Sequence, residues 1–363
     1  MGFCCGIVGL PNAGKSTLFN LIAGANAPAE SYPFCTIDPN VGIVSVPDKN
    51  LQLIAEIVKP EKVTPTTLEI FDIAGLVKNA HKGEGLGNQF LGQIRGVDTI
   101  IHIVRCFEDP DISHVYGKID PVSDMEVIIT ELIMADLELL EKRRASIKKS
   151  MKADKKDSSD IDLDLLSHLI DELSKGKGII DTDVDISPSQ MKAMGLLTAK
   201  PYIVVANIDE EGITSGSEYL KAIQQWGEEK NITIIPICAK FELEASELEP
   251  EDRQEFLESV GLKGSGTNAL IRACYELLNL ITFYTPVGKE LRAWTLKRGE
   301  TLYDAAGLIH SDIQTGFIKA DVVPFEDFIK YNGMSGAKEA GRVLTEGKEF
   351  TLRDEDVVVI HFR

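Results

Sequence analysis

The chain has 363 residues, enough for two or three domains each with its own core. Its 44% hydrophobic and 26% charged content is that of a globular protein, and no stretch stays apolar over the ~18 residues a membrane helix needs. A net charge of −19 argues against blanket binding to nucleic acid, DNA included, but leaves room for a local basic face.

The N-terminus has no basic flank ahead of its apolar run, as a secretory signal would, and Gly6 stands where a myristoylation motif requires Ser or Thr. A cytoplasmic protein without membrane contact is expected. Cys4, Cys5, Cys35, Cys106, Cys238 and Cys274 show no zinc-site spacing and read as reduced thiols.

Residues 3–8 read as a short buried strand, and 17–23 as a helix that turns Leu18, Phe19 and Ile22 inward. Between them, Gly9-Leu10-Pro11-Asn12-Ala13-Gly14-Lys15-Ser16 fits the phosphate-loop pattern G-x-x-x-x-G-K-S without a mismatch. Gly9 and Gly14 let the backbone turn tightly, so that successive N–H groups converge on phosphate oxygens at the positive end of the following helix. The nucleotide-binding set here is Asn12, Ala13, Gly14, Lys15, Ser16 and Thr17. Lys15 reaches the β- and γ-phosphates and is counted as catalytic, and the Ser16 hydroxyl ligates Mg²⁺.

A polar, Pro-broken loop at 31–36 follows, then a strand at 41–46, a helix at 51–58 and a strand at 67–73 that runs into Asp72-Ile73-Ala74-Gly75. In such D-x-x-G segments the Asp meets the metal through water and the Gly N–H bonds the γ-phosphate, a bond lost when that phosphate leaves. Thr36 lies where a hydroxyl completes the Mg²⁺ shell. Residues 76–87 are glycine-rich.

Apolar runs at 99–104, 202–206 and 232–237 suit parallel strands covered on both faces. With intervening helices they predict a doubly wound, parallel α/β sheet built from residues 1–122 and 199–280. Residues 123–198 carry two helical stripes, Ile129, Ile133, Leu137, Leu140, Ile147 and Met151, then Leu163, Leu166, Ile170 and Leu173, which read as an inserted antiparallel helical hairpin. Its tip is basic (Lys142, Arg143, Arg144, Lys148, Lys149, Lys152, Lys155 and Lys156), either a solvated face or a contact for RNA. Residues 281–363 alternate short strands with one helix at 302–309, a small α+β domain.

These segments together resemble the YchF subfamily of the Obg family of translation-factor-type GTPases: the phosphate loop, Tyr32-Pro33-Phe34-Cys35-Thr36, Asp72-Ile73-Ala74-Gly75-Leu76 and Gly83-Glu84-Gly85-Leu86-Gly87-Asn88-Gln89-Phe90. The resemblance spans the whole chain. It implies a P-loop NTPase fold of the G-domain type, a coiled-coil insert, a C-terminal TGS domain of β-grasp fold, Mg²⁺-dependent phosphoanhydride hydrolysis and association with ribosomes through the insert and the TGS domain.

The base is read after the strand at 202–206. GTPases carry N-K-x-D there, with the Asp accepting from guanine; this chain has Asn207-Ile208-Asp209-Glu210. Glu210 is one methylene longer and Ile208 replaces the Lys that packs along the base, so the guanine edge loses its in-plane partner. Asn207 can pair with adenine N6 and N7, since an amide both donates and accepts; a helix cap is its other reading. Cys238-Ala239-Lys240 matches the S-A-K loop, with backbone near the base and the Lys240 stem stacked on it. ATP is the expected nucleotide, with GTP weaker, and the subfamily's N-x-x-E pattern implies the same.

Leu76 stands where many GTPases place the Gln that orients water, so turnover needs another group. His81, in the glycine-rich loop, and His114 are candidates, and His114 ranks first because its segment matches the family's. His102, inside an apolar strand, reads as a satisfied core residue. Asn12 either helps hold K⁺ beside the β- and γ-phosphates or fills the loop turn. The leading function is an ATP-hydrolysing switch; a GTPase, a non-catalytic ATP sensor and, more remotely, a small-molecule kinase are the rivals.

Overall fold

The computed structural model describes residues 3–24, 40–73, 86–152, 163–262 and 264–363. The chain divides into two units, Met1–Gly42 with Glu69–Leu270, and Ile43–Leu68 with Ile271–Arg363. Chain order begins β1 (Cys4–Val8), α1 (Lys15–Gly24), β2 (Val41–Ser45), α2 (Lys49–Val58), β3 (Lys62–Thr64), β4 (Thr67–Asp72), α3 (Leu86–Gly96), β5 (Thr99–Arg105) and α4 (Pro121–Lys152). It continues with α5 (Leu163–Ser174), α6 (Pro188–Met194), β6 (Tyr202–Asn207), α7 (Glu210–Thr214), α8 (Glu218–Lys230), β7 (Ile234–Ile237), α9 (Ala239–Ser246), α10 (Pro250–Ser259) and α11 (Gly266–Leu277).

The first sheet has the order β2-β4-β1-β5-β6-β7. β1 pairs in parallel with β4 and β5, β5 with β6, and β6 with β7. This is the doubly wound sheet that the apolar runs predict. Strand order reverses at β1, so the loop after β1 opens at the switch point where α/β sheets bind ligands. Every residue of β5 is buried, as a strand covered on both faces requires. Its Ile100 packs with Val8, Ile94 and Ile128, and its Val104 with Val204, Ala206 and Ile223.

Helix α4 starts where Asp120 accepts the Ser123 N–H at 3.1 Å and Pro121 supplies a first-turn residue that needs no donor. The two expected stripes meet in one core, with Ile133, Leu140 and Ile147 of α4 beside Leu166, Leu169, Ile170 and Leu173 of α5. Buried Asp136 fastens α4 to the segment leading into β6, accepting the N–H groups of Leu197 (2.9 Å) and Thr198 (2.8 Å) and the Thr198 hydroxyl (2.7 Å).

The second unit adds β8 (Leu280–Val287), β9 (Glu290–Lys297), α12 (Leu302–Ile309), α13 (Ser311–Thr315), β10 (Phe317–Val323), α14 (Phe325–Lys330), α15 (Met334–Glu339), β11 (Leu344–Glu346) and β12 (Val357–Phe362). Its sheet has the order β11-β10-β12-β8-β9-β3. A β8–β9 hairpin, a helix capped by Thr301 and a last strand running parallel beside β8 make the β-grasp arrangement.

One boundary differs from the sequence reading. Residues 43–68, assigned above to the nucleotide-binding domain, belong with the C-terminal residues. Leu51 and Ile54 of α2 are buried with Tyr284, Leu291, Ala293 and Phe328, and β3 pairs in parallel with β9. An amphipathic stripe shows that a helix covers a core but not which core, and β3 is too short to carry a period. Among the described residues no helix is long and apolar enough to cross a membrane.

Candidate nucleotide site

The phosphate loop is shaped by close approaches. A Cβ on Gly9 would lie 2.5 Å from the Ile103 carbonyl oxygen. One on Gly14, where φ is +100°, would lie 2.3 Å from the Asn207 side-chain nitrogen. Both glycines are therefore steric requirements. Lys15 is buried, and its Nζ donates to the carbonyl oxygens of Gly9 (3.1 Å) and Leu10 (2.9 Å), so it curls over the loop it serves. Burial pulls its ammonium below the usual lysine range, against the pull of the Asp72 carboxylate.

At the other end of β4 from its entry, Asp72 Oδ2 accepts the Ser16 hydroxyl at 3.2 Å. Asp72 Oδ1 is buried and has no hydrogen-bond partner among the described residues. A hydroxyl beside a carboxylate with an unsatisfied oxygen is a hard, all-oxygen donor set that fits Mg²⁺, which takes one or two such ligands and completes its shell with phosphate and water.

Asn207 ends β6 and is buried. Its Nδ2 donates to Ala13 O at 3.0 Å and its Oδ1 accepts the Ala239 N–H at 3.4 Å. The amide expected on the adenine edge thus ties the phosphate loop to the 238–240 loop, with one N–H and one lone pair left over. The side chain of Ile208, next in the chain, is buried in the cluster of Val104, Cys106 and Met125, so it lines the core. Glu210 opens α7, which Asp209 caps by accepting the Gly212 N–H at 2.8 Å, and its side chain is exposed. Buried Cys238 precedes α9; desolvation pushes its thiol up to about 11, and the carboxylates of Glu210 and Asp209 add to the rise. Glu210 therefore shares the neighbourhood of Cys238, Ala239 and exposed Lys240.

A third loop, after β5, is bound to the phosphate loop. Asn12, at φ +64°, donates its amide to Ser113 O at 3.0 Å; this leaves its Oδ1 as the oxygen a K⁺ ion would need. Arg105, 2% exposed, fans its guanidinium over the carbonyls of Phe107 (3.0 Å), Ile112 (2.9 Å) and Asp109 (3.2 Å). His114 Nε2 lies 2.9 Å from Asp124 Oδ2, and its Nδ1 accepts the Tyr116 N–H at 3.3 Å. The histidine expected to meet water is enclosed here with both ring nitrogens engaged, because the loop folds it against the first turn of α4.

Residues 4–134 match the family model described as a 50S ribosome-binding GTPase, and residues 280–363 match the C-terminal YchF GTPase model, described as a protein of unknown function. The Bacillus subtilis protein named ribosome-binding ATPase YchF is 48% identical over 366 residues, covering 100% of this chain and 99% of that one. This chain belongs to the YchF family. The Escherichia coli O157:H7 relative of the same name is 46% identical over 361 residues, 99% of this chain and 98% of its own. The solved Schizosaccharomyces pombe YchF GTPase superposes with a TM-score of 0.86 at 33% identity, covering 99% of this chain and 98% of that chain.

In this YchF chain the structure brings together Asn12, Ala13, Lys15, Ser16, Asp72, Asn207, Cys238 and Ala239 at the ends of parallel strands. Thr36, Gly75, Leu76 and His81 lie outside the described residues. Two groups that shape the YchF site were missed. Arg105 was hidden at the end of an apolar run, although a charged residue closing a buried strand is itself a signal. Glu242 is buried one turn into α9 and accepts from Ser265 (2.7 Å), Gly266 N (2.9 Å) and Thr267 N (3.1 Å), which fixes the helix that follows the 238–240 loop. Its partners lie 23 to 25 residues away, beyond any local pattern.

Proposed function

We propose that this chain binds and hydrolyses ATP with Mg²⁺ and reports its nucleotide state to the ribosome through the helical hairpin and the C-terminal unit. The observation that carries the reading is the Ser16–Asp72 pair, with a buried Oδ1 that has no partner among the described residues, and with Lys15 close enough for Asp72 to act on its charge. Ser16 and Asp72, with Thr36, would hold Mg²⁺, which would neutralise charge between the β- and γ-phosphates. Loop N–H groups from Ala13 to Thr17 and Gly75 orient the phosphates, and the Lys15 ammonium, turned from its carbonyl partners, meets the transferred group. Asn207, Ala239 and the Lys240 stem frame the base, and Glu210 sits where a guanine-reading Asp would be. His114 serves as the proton acceptor for the attacking water. The relatives named as ribosome-binding ATPases support both the nucleotide and the partner. Exposed Lys142, Lys148 and Lys149 on α4 give the hairpin the charge that RNA phosphates attract.

Competitive titration of the purified chain with ATP and GTP in Mg²⁺ tests the base reading: ATP should bind many-fold tighter, and the reverse order would overturn it. A second reading, an ATP sensor that scarcely hydrolyses, is favoured by the engaged His114 nitrogens and by Leu76 in place of Gln. Single-turnover rates with and without ribosomes separate the two. Ribosome-stimulated turnover supports the enzyme, and none supports the sensor.

A further inference from the structure

His114 is held by two contacts of different kinds. A backbone N–H can only donate, so the 3.3 Å contact from Tyr116 makes His114 Nδ1 the acceptor and leaves the ring proton on Nε2. Nε2 then donates to Asp124 Oδ2 at 2.9 Å, and both side chains are 7% exposed. Asp124 itself is fixed. It lies in the first turn of α4, and its N–H donates to Asp120 O at 2.9 Å. The Tyr116 contact is long and spans two residues, so water can replace it at little cost. The Asp124 contact is short, buried and charge-assisted. A carboxylate behind one ring nitrogen, with the other nitrogen's lone pair in front, is the arrangement of a base held in a single tautomer by its orienting acid.

We propose that Asp124 is a positioning residue for hydrolysis: it holds His114 in the Nε2–H tautomer so that Nδ1 takes the proton of the attacking water. This rests on His114 being the base. In the step, water releases Tyr116 from Nδ1 and gives one proton to Nδ1. The water oxygen bonds to the γ-phosphorus, the bond from that phosphorus to the β–γ bridging oxygen breaks, and its electron pair leaves with ADP. The imidazolium faces Asp124 until its proton passes to solvent, so ATP and water become ADP, phosphate and a proton. Asp124 touches neither substrate nor water and acts through the ring.

The test is a double-mutant cycle on the full-length chain, read as single-turnover ATP hydrolysis with ribosomes present and as ATP affinity. Asp124→Asn should lower the rate about tenfold or more at unchanged affinity, a share of the 10²–10⁴ that general-base catalysis supplies. An amide at 124 can turn to donate to Nε2, which moves the ring proton to Nδ1. Asp124→Glu, which keeps a carboxylate, should recover part of the loss and reports even where the amide weakens folding. In a His114→Ala background, Asp124→Asn should change nothing further, because residues acting as a unit are non-additive. If the two losses multiply instead, Asp124 acts by another route and the proposal is overturned while His114 keeps its role. If Asp124→Asn speeds hydrolysis, the pair is a restraint and the proposal is wrong. If His114→Ala alone leaves the rate unchanged, the base reading fails and takes the proposal with it.

Discussion

Asn207 offers a direct test of how the site is built. Asn207→Ala removes the 3.0 Å bond to Ala13 O and the 3.4 Å bond from Ala239 N, and leaves both backbone groups without a partner in a buried setting. A buried polar group left unpaired costs about 1–3 kcal/mol. The Ala239 contact is long and falls at the weak end, so the pair sums to about 2–4 kcal/mol. Asn207→Asp is the sharper comparison. Its carboxylate can still accept from Ala239, but it sets a negative charge against the Ala13 carbonyl, where a donor is needed. It should be at least as destabilising as Ala despite keeping the shape. Urea unfolding of the three proteins supplies the stabilities, and ATP titration should show weaker binding for both variants because the phosphate and base loops are no longer tied. An Ala variant within about 0.5 kcal/mol of the parent, or an Asp variant more stable than the Ala one, would refute the role of Asn207 as a bridge.

Two other expectations follow from the first unit. His102 is fully buried with Nε2 unpartnered among the described residues, so the core histidine of the sequence reading is buried but not satisfied. Burial, with Lys15 adding to it, pulls this histidine down from 6.5 to about 3. Its folded value lies below the unfolded one, so the unfolded chain gains a proton as pH falls below 6.5 while the folded chain stays neutral, and stability is lost between 6.5 and about 3. At pH 5 that loss is about 2 kcal/mol, and His102→Leu should lack it; parallel losses in the two proteins between pH 7.5 and 5 would remove His102 from the acid response. On the hairpin, Lys142→Ala, Lys148→Ala and Lys149→Ala together should weaken ribosome binding and flatten its salt dependence, measured by co-sedimentation across a salt series. An unchanged salt slope would leave these lysines as a solvated face.

Most of the first unit was legible because its signals are local. A phosphate loop needs glycines at fixed offsets, and the approaches of Gly9 to Ile103 and Gly14 to Asn207 show why no other residue fits. Parallel strands buried on both faces write themselves as apolar runs, as β5 does. What was not legible is non-local. Residues 43–68 are amphipathic in either unit, and nothing in Leu51 or Ile54 names the sheet they cover. The bonds from Asn207 to the loops at Ala13 and Ala239, and the seat of Ile208 in the core, are also non-local, because each depends on which loops and strands meet at the end of β6.

The same strand ends connect the phosphate loop to the start of the long insert. Because β1, β5, β6 and β7 are parallel, their following loops gather on one edge, and side chains there bond loop to loop. Ala13 meets Asn207 and, through it, Ala239; Asn12 meets Ser113; the next residue, His114, meets Asp124 in the first turn of α4. A bonded path therefore runs from the loop that grips phosphate to the base of a 32-residue helix. At 1.5 Å per residue that helix is about 48 Å long, so a tilt of about 5° at its first turn displaces its far end by about 4 Å. Displacement grows with distance from the pivot, so a contact near the far end senses a loop movement better than one near the site. The exposed cations Lys148 and Lys149 stand close to that far end.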